Sequence, residues 1–336
     1  MAHETSNSFE PSTQRGEFEL IAAIRTALGT PPEDVIVGIG DDAAVLSVPP
    51  GEQLVVTTDM LVEGRHFDAL TVGDAANAQL AAEAIGWKAL AVSISDVAAM
   101  GGRSRWAVVS IALRAEHTGS VADALTNGLR RCAERFGVAI VGGDTTASPG
   151  PLVVNVTLAG SLGYGDAVLR SSARVGDAVC VTGALGGSRL GRHLHPQPRQ
   201  DEALSLVKEG VVHAMIDLSD GLSSDLGHVL DASGVGAMLW ADRVPIHPDA
   251  MRRAAETGRP ALEHALHDGE DFELLFTTSA DVAARLATDG LCGTPVAWIG
   301  RLTAGVDCDC VIAPDASQES AAVPLERRGY DHFRNG

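Results

Sequence analysis

KALAVSISDVAAMGGRSRWAVVSIAL, residues 88–113, changes character halfway along. Its first half continues a run of strong helix formers reaching back to Asp74, and Gly101-Gly102 supplies the stop. The reading is a helix over Asp74 to Ala99. From Arg105 to Leu113 the chain turns to Val, Ile and Trp, which reads as a strand. A long helix feeding a strand is the unit from which a layered fold is built.

Working outward, Glu17 to Leu28 has helical periodicity, and Glu52 to Thr58 reads as a strand ending in Thr57-Thr58-Asp59. Ser120 opens a third helix, with Asp123 as capping-box partner, and that helix stops near Gly137. Val138 to Val141 is a strand delivering Gly142-Gly143-Asp144, and Leu152 to Leu158 is another. The Gly-rich stretch 160–165 suggests a boundary, giving a tail over 1–15, a first domain over 16–160 and a second over 161–336. In the second half, Ala178 to Thr182, Val235 to Trp240, Phe272 to Thr277 and Val296 to Gly300 read as strands. Leu222 to Ala232 and Asp281 to Ala287 read as helices, and His193 to Asp201 as a loop. Strands and helices interleave in both halves, which means α/β or α+β.

Composition narrows the class. The chain has 336 residues, 45% hydrophobic and 21% charged, as expected of a globular enzyme of two domains. A net charge of −19 disfavours nucleic acid and anionic membranes as partners. Five scattered cysteines form no disulfide framework, and Cys308-x-Cys310 lacks the second pair or nearby His of a zinc site. The polar N-terminus has no apolar signal region and no run is long enough to span a bilayer, so a reducing cytoplasm is the expected location.

The acids are not scattered. They gather in GIGDDAAVL (38–46), TTDMLVEGRHF (57–67), SISD (93–96), VGGDTT (141–146), DLSDG (217–221) and DGED (268–271). Single carboxylates on Gly- or Thr-flanked turns suit Mg²⁺, which takes one or two carboxylates together with phosphate oxygens. Glycine lets backbone N–H groups approach phosphate, and threonine adds hydroxyl oxygens. There is no G-x-x-x-x-G-K-[ST] loop and no H-R-D with D-F-G, so any use of ATP rests on another architecture.

In order, these motifs resemble the thiamine-monophosphate kinases, relatives of aminoimidazole ribonucleotide synthetases, selenophosphate synthetases and a hydrogenase maturation enzyme. KALAVSISDVAAMGG (88–102), MIDLSDGLSSDLGH (215–228), GEDFELLF (269–276) and GYDHF (329–333) extend the resemblance over nearly the whole chain. It implies two α/β domains, the N-terminal ones pairing across a homodimer to form a β-barrel, with ATP held through several Mg²⁺ ions in a cleft between domains. Carried over residue by residue, it implies Asp42, Thr57, Thr58, Asp59, Asp96, Asp144, Asp217 and Asp220 as metal ligands. Gly143, Asp144, Arg170 and Ser219 match ATP contacts, and His66 and Glu270 match contacts to thiamine monophosphate. Two positions depart from the pattern: Arg327 stands where an aromatic residue is common, and Asp268 where glycine is.

No covalent nucleophile stands out, so the expected reaction is direct in-line phosphoryl transfer giving thiamine diphosphate, the last step of its synthesis. The alternatives are a synthetase of the same superfamily with another acceptor and a non-catalytic nucleotide-binding paralogue. Selenophosphate synthesis uses a reactive Cys near the N-terminus, whereas the first cysteine here is Cys132. DMLVEGRHF, VGGDTT and GYDHF argue against aminoimidazole ribonucleotide synthesis.

Overall fold

The computed structural model describes residues 15–40, 42–68, 70, 75–305 and 309–329. The first half forms α1 (Glu17–Leu28), β1 (Val35–Val37), β2 (Val45–Leu46), β3 (Glu52–Val62), α2 (Ala75–Ala99), β4 (Arg103–Leu113), α3 (Ser120–Phe136), β5 (Ala139–Ala147) and β6 (Val153–Gly163). The second half forms β7 (Ala178–Thr182), α4 (Gln200–Glu209), β8 (Ala214–Asp217), α5 (Leu222–Ser233), β9 (Gly236–Trp240), α6 (Pro248–Thr257) and α7 (Ala261–His267). It ends with β10 (Leu274–Thr278), α8 (Ala280–Asp289), β11 (Val296–Thr303), β12 (Cys310–Ala313) and β13 (Val323–Pro324).

Two main sheets result. One has four strands in the order β3-β6-β4-β5, the other seven in the order β13-β12-β9-β11-β7-β10-β8. In the four-stranded sheet β4 and β5 are parallel and the other pairs antiparallel. In the seven-stranded sheet only β12 and β9 are parallel. Its strands β7 and β10 and the edge strand β8 are buried throughout, because helices cover both faces. Leu222, Leu226 and Leu266 pack on one side, and Leu206, Ala283 and Leu286 on the other.

α2 organises the molecule. It is apolar nearly all round, the mark of a helix enclosed by protein. It packs on β3, β4 and β6 of the smaller sheet and on α4 and β8 of the larger structure. Its crossing with α3 is unusually close. A Cβ added at Gly86 would lie 2.1 Å from the Leu125 carbonyl oxygen, and one at Gly128 only 1.9 Å from that of Glu83.

Several sequence expectations need correction. β3 and β5 run on through their Thr- and Gly-rich segments, since cross-strand pairing outweighs weak local strand preference there. The strand read over Leu152 to Leu158 runs on as β6 to Gly163. The stretch 193–201 is not all loop: it includes the end of a 3₁₀ turn, and α4 begins at Gln200. The capping box at Ser120 is absent. Gly119 is the N-cap, and Asp123 pairs instead with Arg15. The expected tail's first fourteen residues, Asp41, the helix start at Asp74, Cys308 and most of GYDHF lie outside the described residues.

Candidate functional site

The sequence spacing on α2 places Lys88, Val92, Ser95 and Asp96 along one stripe, i, i+4, i+7 and i+8. β3 presents Thr57 and Asp59 towards α2 and turns Thr58 away, as strand alternation requires. The result is a set of carboxylates, each with one oxygen held by a hydroxyl. Thr57 Oγ1 donates to Asp96 Oδ2 at 2.6 Å. Ser93 Oγ donates to Asp59 Oδ2 at 2.7 Å, and Ser95 Oγ to Asp217 Oδ2 at 2.7 Å. Asp217 ends β8, so the third acid arrives from the other half of the chain.

Crowding shows in the acid strengths. Burial, then the charge of Asp96, pushes Asp59 up to about 6. Burial also raises Asp96, against the Thr57 hydroxyl and the Arg170 guanidinium. Burial, then Asp96, pushes Asp217 up to about 7. Three neighbouring acids that resist ionisation are what a site looks like when its countercharge is a cation. Their hard oxygen donors fit Mg²⁺.

Next to this cluster is a cavity of about 310 Å³. Asp59, His66, Lys88, Arg189, Ser219 and Glu270 contribute to its wall. His66 Nδ1 accepts the Val62 N–H at 3.0 Å, so in the neutral ring the proton sits on Nε2. The loop 268–272 is laced to the end of β8: Glu270 N donates to Ser219 O at 2.7 Å and Phe272 N to Leu218 O at 2.8 Å. Glu270 and Phe272 both adopt left-handed backbone, at φ 55° and 51°. Such strain in non-glycine residues collects at functional sites.

The structure thus brings together Thr57, Asp59, Asp96 and Asp217, and sets Thr58, His66, Ser219, Asp220 and Glu270 around the adjoining cavity. Arg170, on a 3₁₀ turn, is close enough for its charge to favour ionised Asp96 and Asp217. Asp42, Gly143 and Asp144 do not join them within one chain. Asp42 is exposed, between β1 and β2. Asp144 shares a row with Ser110, Asn155 and Met60, on the face of the sheet away from Asp59. β5 and β3 are opposite edges of that sheet, roughly 14 Å apart at the usual strand spacing.

Two features escaped the sequence reading. Lys88 is fully buried in the cavity wall, and the one basic residue of a largely apolar helix was the available signal. Asp225 is the second. It accepts the backbone N–H groups of Asp220 and Gly221 at 3.0 Å, and burial pushes it up to about 8. Ligand atoms of Asp220, Asp225 and His228 come within 4.8 Å of one another. Of the two departures, Asp268 lines the cavity, whereas Arg327 pairs with Asp231 at 2.6 Å.

Fold and site together define an AIR synthase related protein. The model of that family's N-terminal domain matches residues 40–162, and that of its C-terminal domain matches 157–312. Within the class, the chain is 42% identical over 279 residues to the thiamine-monophosphate kinase of Rhodopirellula baltica, covering 80% of this chain and 84% of that one. It is 36% identical to that of Salmonella typhimurium, covering 95% and 98%. A structure of AaThiL complexed with AMPPCP and TMP superposes with a TM-score of 0.71 at 30% identity, covering 95% of this chain and 97% of that one. Escherichia coli HypE, a hydrogenase maturation protein, shares the fold at 19% identity and a TM-score of 0.74, covering 95% and 100%. The chain belongs to the thiamine-monophosphate kinases, a family of enzymes. Among the described residues no helix is long and apolar enough to cross a membrane.

Proposed function

We propose that the protein transfers the γ-phosphoryl group of ATP to thiamine monophosphate in the cytoplasm, forming thiamine diphosphate in the last step of its synthesis. One observation carries this reading: a cluster of hindered carboxylates adjoins a cavity whose wall also holds Lys88, Arg189, Arg65 and His66. Acids of that kind suit metal-bound polyphosphate, and the cations suit a phosphate acceptor. The likeness to AaThiL complexed with AMPPCP and TMP supports it.

Asp59, Asp96 and Asp217, with Thr57, Thr58 and Asp220 beside them, would hold Mg²⁺. Bound there, Mg²⁺ supplies charge neutralisation for the phosphates. The acceptor oxygen needs no strong base, because a phosphate monoester's second pKa is about 6. The protein's task is therefore positioning. His66 Nε2–H orients the acceptor phosphate, Glu270 faces its cationic or N–H-bearing part, and Arg170 and Ser219 contact ATP.

The direct test is ADP release from Mg-ATP with thiamine monophosphate, the product identified by mass. Free thiamine and the aminoimidazole-pathway substrate serve as controls. Thiamine diphosphate should form only from the monophosphate, and rapid quench with labelled ATP should leave no label on protein. ATP binding without acceptor-dependent ADP release overturns the reading.

Metal linkage gives a second prediction. An acid whose pKa is raised by folding keeps its proton longer in the native state. Between about 3.8 and about 7, Asp59 and Asp217 therefore make stability fall as pH rises. Buried His117 and half-buried His193, held below their usual range chiefly by loss of solvent, act in the opposite direction, so the useful readout is a difference. The gain in Tm on adding Mg²⁺ should be larger at pH 8 than at pH 5, since ligands must be deprotonated to bind. An equal gain at both pH values removes these acids from the metal site.

The homodimer belongs to the same proposal. Leu54, Val56, Met60 and Val108 are 52, 61, 56 and 40% exposed on one face of the four-stranded sheet, an apolar surface rare on a monomer. Pairing two such faces gives a barrel and buries Thr58 and Asp144 at the seam, where Gly143, Asp144 and Asp42 can complete the ATP site. Val56→Arg should halve the sedimenting mass and abolish turnover. A monomeric wild-type enzyme with full activity excludes the barrel.

A further inference from the structure

Lys88 Nζ donates to Glu270 Oε1 at 2.5 Å and to the His66 carbonyl oxygen at 2.8 Å. The first bond crosses from α2 to the loop 268–272 of the other half, and the second reaches the turn that follows β3. The lysine is 0% exposed, and burial opposes its charge, so the ammonium persists there through its carboxylate partner. Glu270 Oε2 accepts no hydrogen bond among the described residues; its near neighbour is Arg189 Nε, at 3.5 Å. The backbone at Glu270 is held at φ 55° to make this approach.

We propose that Lys88 is a positioning residue for the acceptor, clamping the two halves of its site together by fixing Glu270 and the His66 turn in one geometry. This rests on the functional reading above, in which His66 and Glu270 contact the acceptor. With Oε1 committed to Lys88, Oε2 is the oxygen left for an N–H or cationic group of the acceptor, which takes over the loose Arg189 contact. Neutralising one oxygen while leaving the other open favours a neutral N–H donor or a spread positive charge over a compact ammonium. Lys88 itself touches no reacting atom. The cavity wall therefore draws on both halves of the chain at once, and Lys88 joins them.

The experiment compares steady-state kinetics of the Mg²⁺-loaded full-length enzyme with Lys88→Met, Lys88→Arg and the double variant Lys88→Met/Glu270→Gln. Lys88→Met should raise KM for thiamine monophosphate about 10- to 100-fold, the loss of one charged hydrogen bond, while KM for ATP stays within twofold or so. Lys88→Arg, which keeps charge and donors, should recover part of that loss. Lys88→Met also strands a buried carboxylate and can fail to fold, so the double variant, which removes that charge, keeps the test open. It should melt at or near the wild-type temperature with a raised acceptor KM, and, read against Glu270→Gln alone, the loss of Lys88 should add little further to that KM, because Lys88 acts through Glu270. A double variant with wild-type acceptor KM, or single variants that raise both KM values together, would reduce Lys88 to a structural ion pair and overturn the proposal. Failure of the unaltered enzyme to phosphorylate thiamine monophosphate is read separately, before any variant, and overturns the functional reading on which Lys88 depends.

Discussion

Asp96→Asn is expected to lower kcat by about 10³-fold, some 4 kcal/mol of transition-state stabilisation, while raising the Tm of the metal-free protein. Both effects arise from one placement. Asp96 lies where its charge raises Asp59 and Asp217, and its own ionisation is hindered by burial. An amide there ends the mutual repulsion and keeps a hydrogen-bond acceptor for Thr57 Oγ1, now 2.6 Å from the carboxylate. Packing changes little, so stability rises without metal. The same change removes a hard anionic donor from the metal site proposed above. A carboxylate kept only for folding would behave the other way, losing stability and sparing the rate. Differential scanning fluorimetry with chelator, beside turnover at several Mg²⁺ concentrations, separates the two. Turnover at the wild-type rate with unchanged Mg²⁺ demand would falsify the metal role.

Gly128→Ala should cost roughly 3 kcal/mol or more, the upper range for overpacking, and Gly86→Ala nearly as much. One methyl group has this effect because the obstacle is backbone. The new Cβ would sit 1.9 Å from the Glu83 carbonyl oxygen at position 128, and 2.1 Å from that of Leu125 at position 86. No rotamer relieves such a clash, so α2 and α3 must move apart. That shift would displace α2, which carries Lys88, Ser93, Ser95 and Asp96, and activity should fall further than stability explains. Gly137→Ala is the control. It ends α3 in left-handed backbone with open space around it and should cost only about 1 kcal/mol. Equal losses at 128 and 137, measured by urea denaturation, would show that the helix crossing is not tightly packed.

Much of this architecture was legible because α2 and β4 declare themselves by composition, and Gly101-Gly102 separates them. The ends of β3 and β5 were not. Thr57-Thr58-Asp59 and Gly142-Gly143-Asp144 look like turns locally, and they are strand because neighbouring strands hydrogen-bond to them. α6 was missed although Pro248 at its start, after a capping His247, is a readable signal. β8 is four residues long, too short for periodicity to reveal. In the site, Asp59, Asp96 and Asp217 were readable from their motifs, and the structure adds the hydroxyl held against each. Asp42 and Asp144 show the limit of reasoning along one chain. Their motifs resemble ligands, yet a single molecule leaves them exposed and apart from the other acids.

Glu270 and Phe272 hold a backbone shape natural to glycine. Each such conformation costs on the order of 1 kcal/mol or more, and it is held by the Lys88–Glu270 ion pair at one position and by burial of the Phe272 ring at the other. Glycine would relieve the strain and still cost stability, by leaving buried Lys88 without its carboxylate or by emptying the space of the Phe272 ring, so a search for heat-resistant variants should leave both residues in place. Replacement at 270 would discard the carboxylate that Lys88 grips, so the fold and the proposed hold on the acceptor would weaken together. The segment marks a place where durability and selectivity draw on the same few atoms, and where directed evolution for one should be screened for the other at every round.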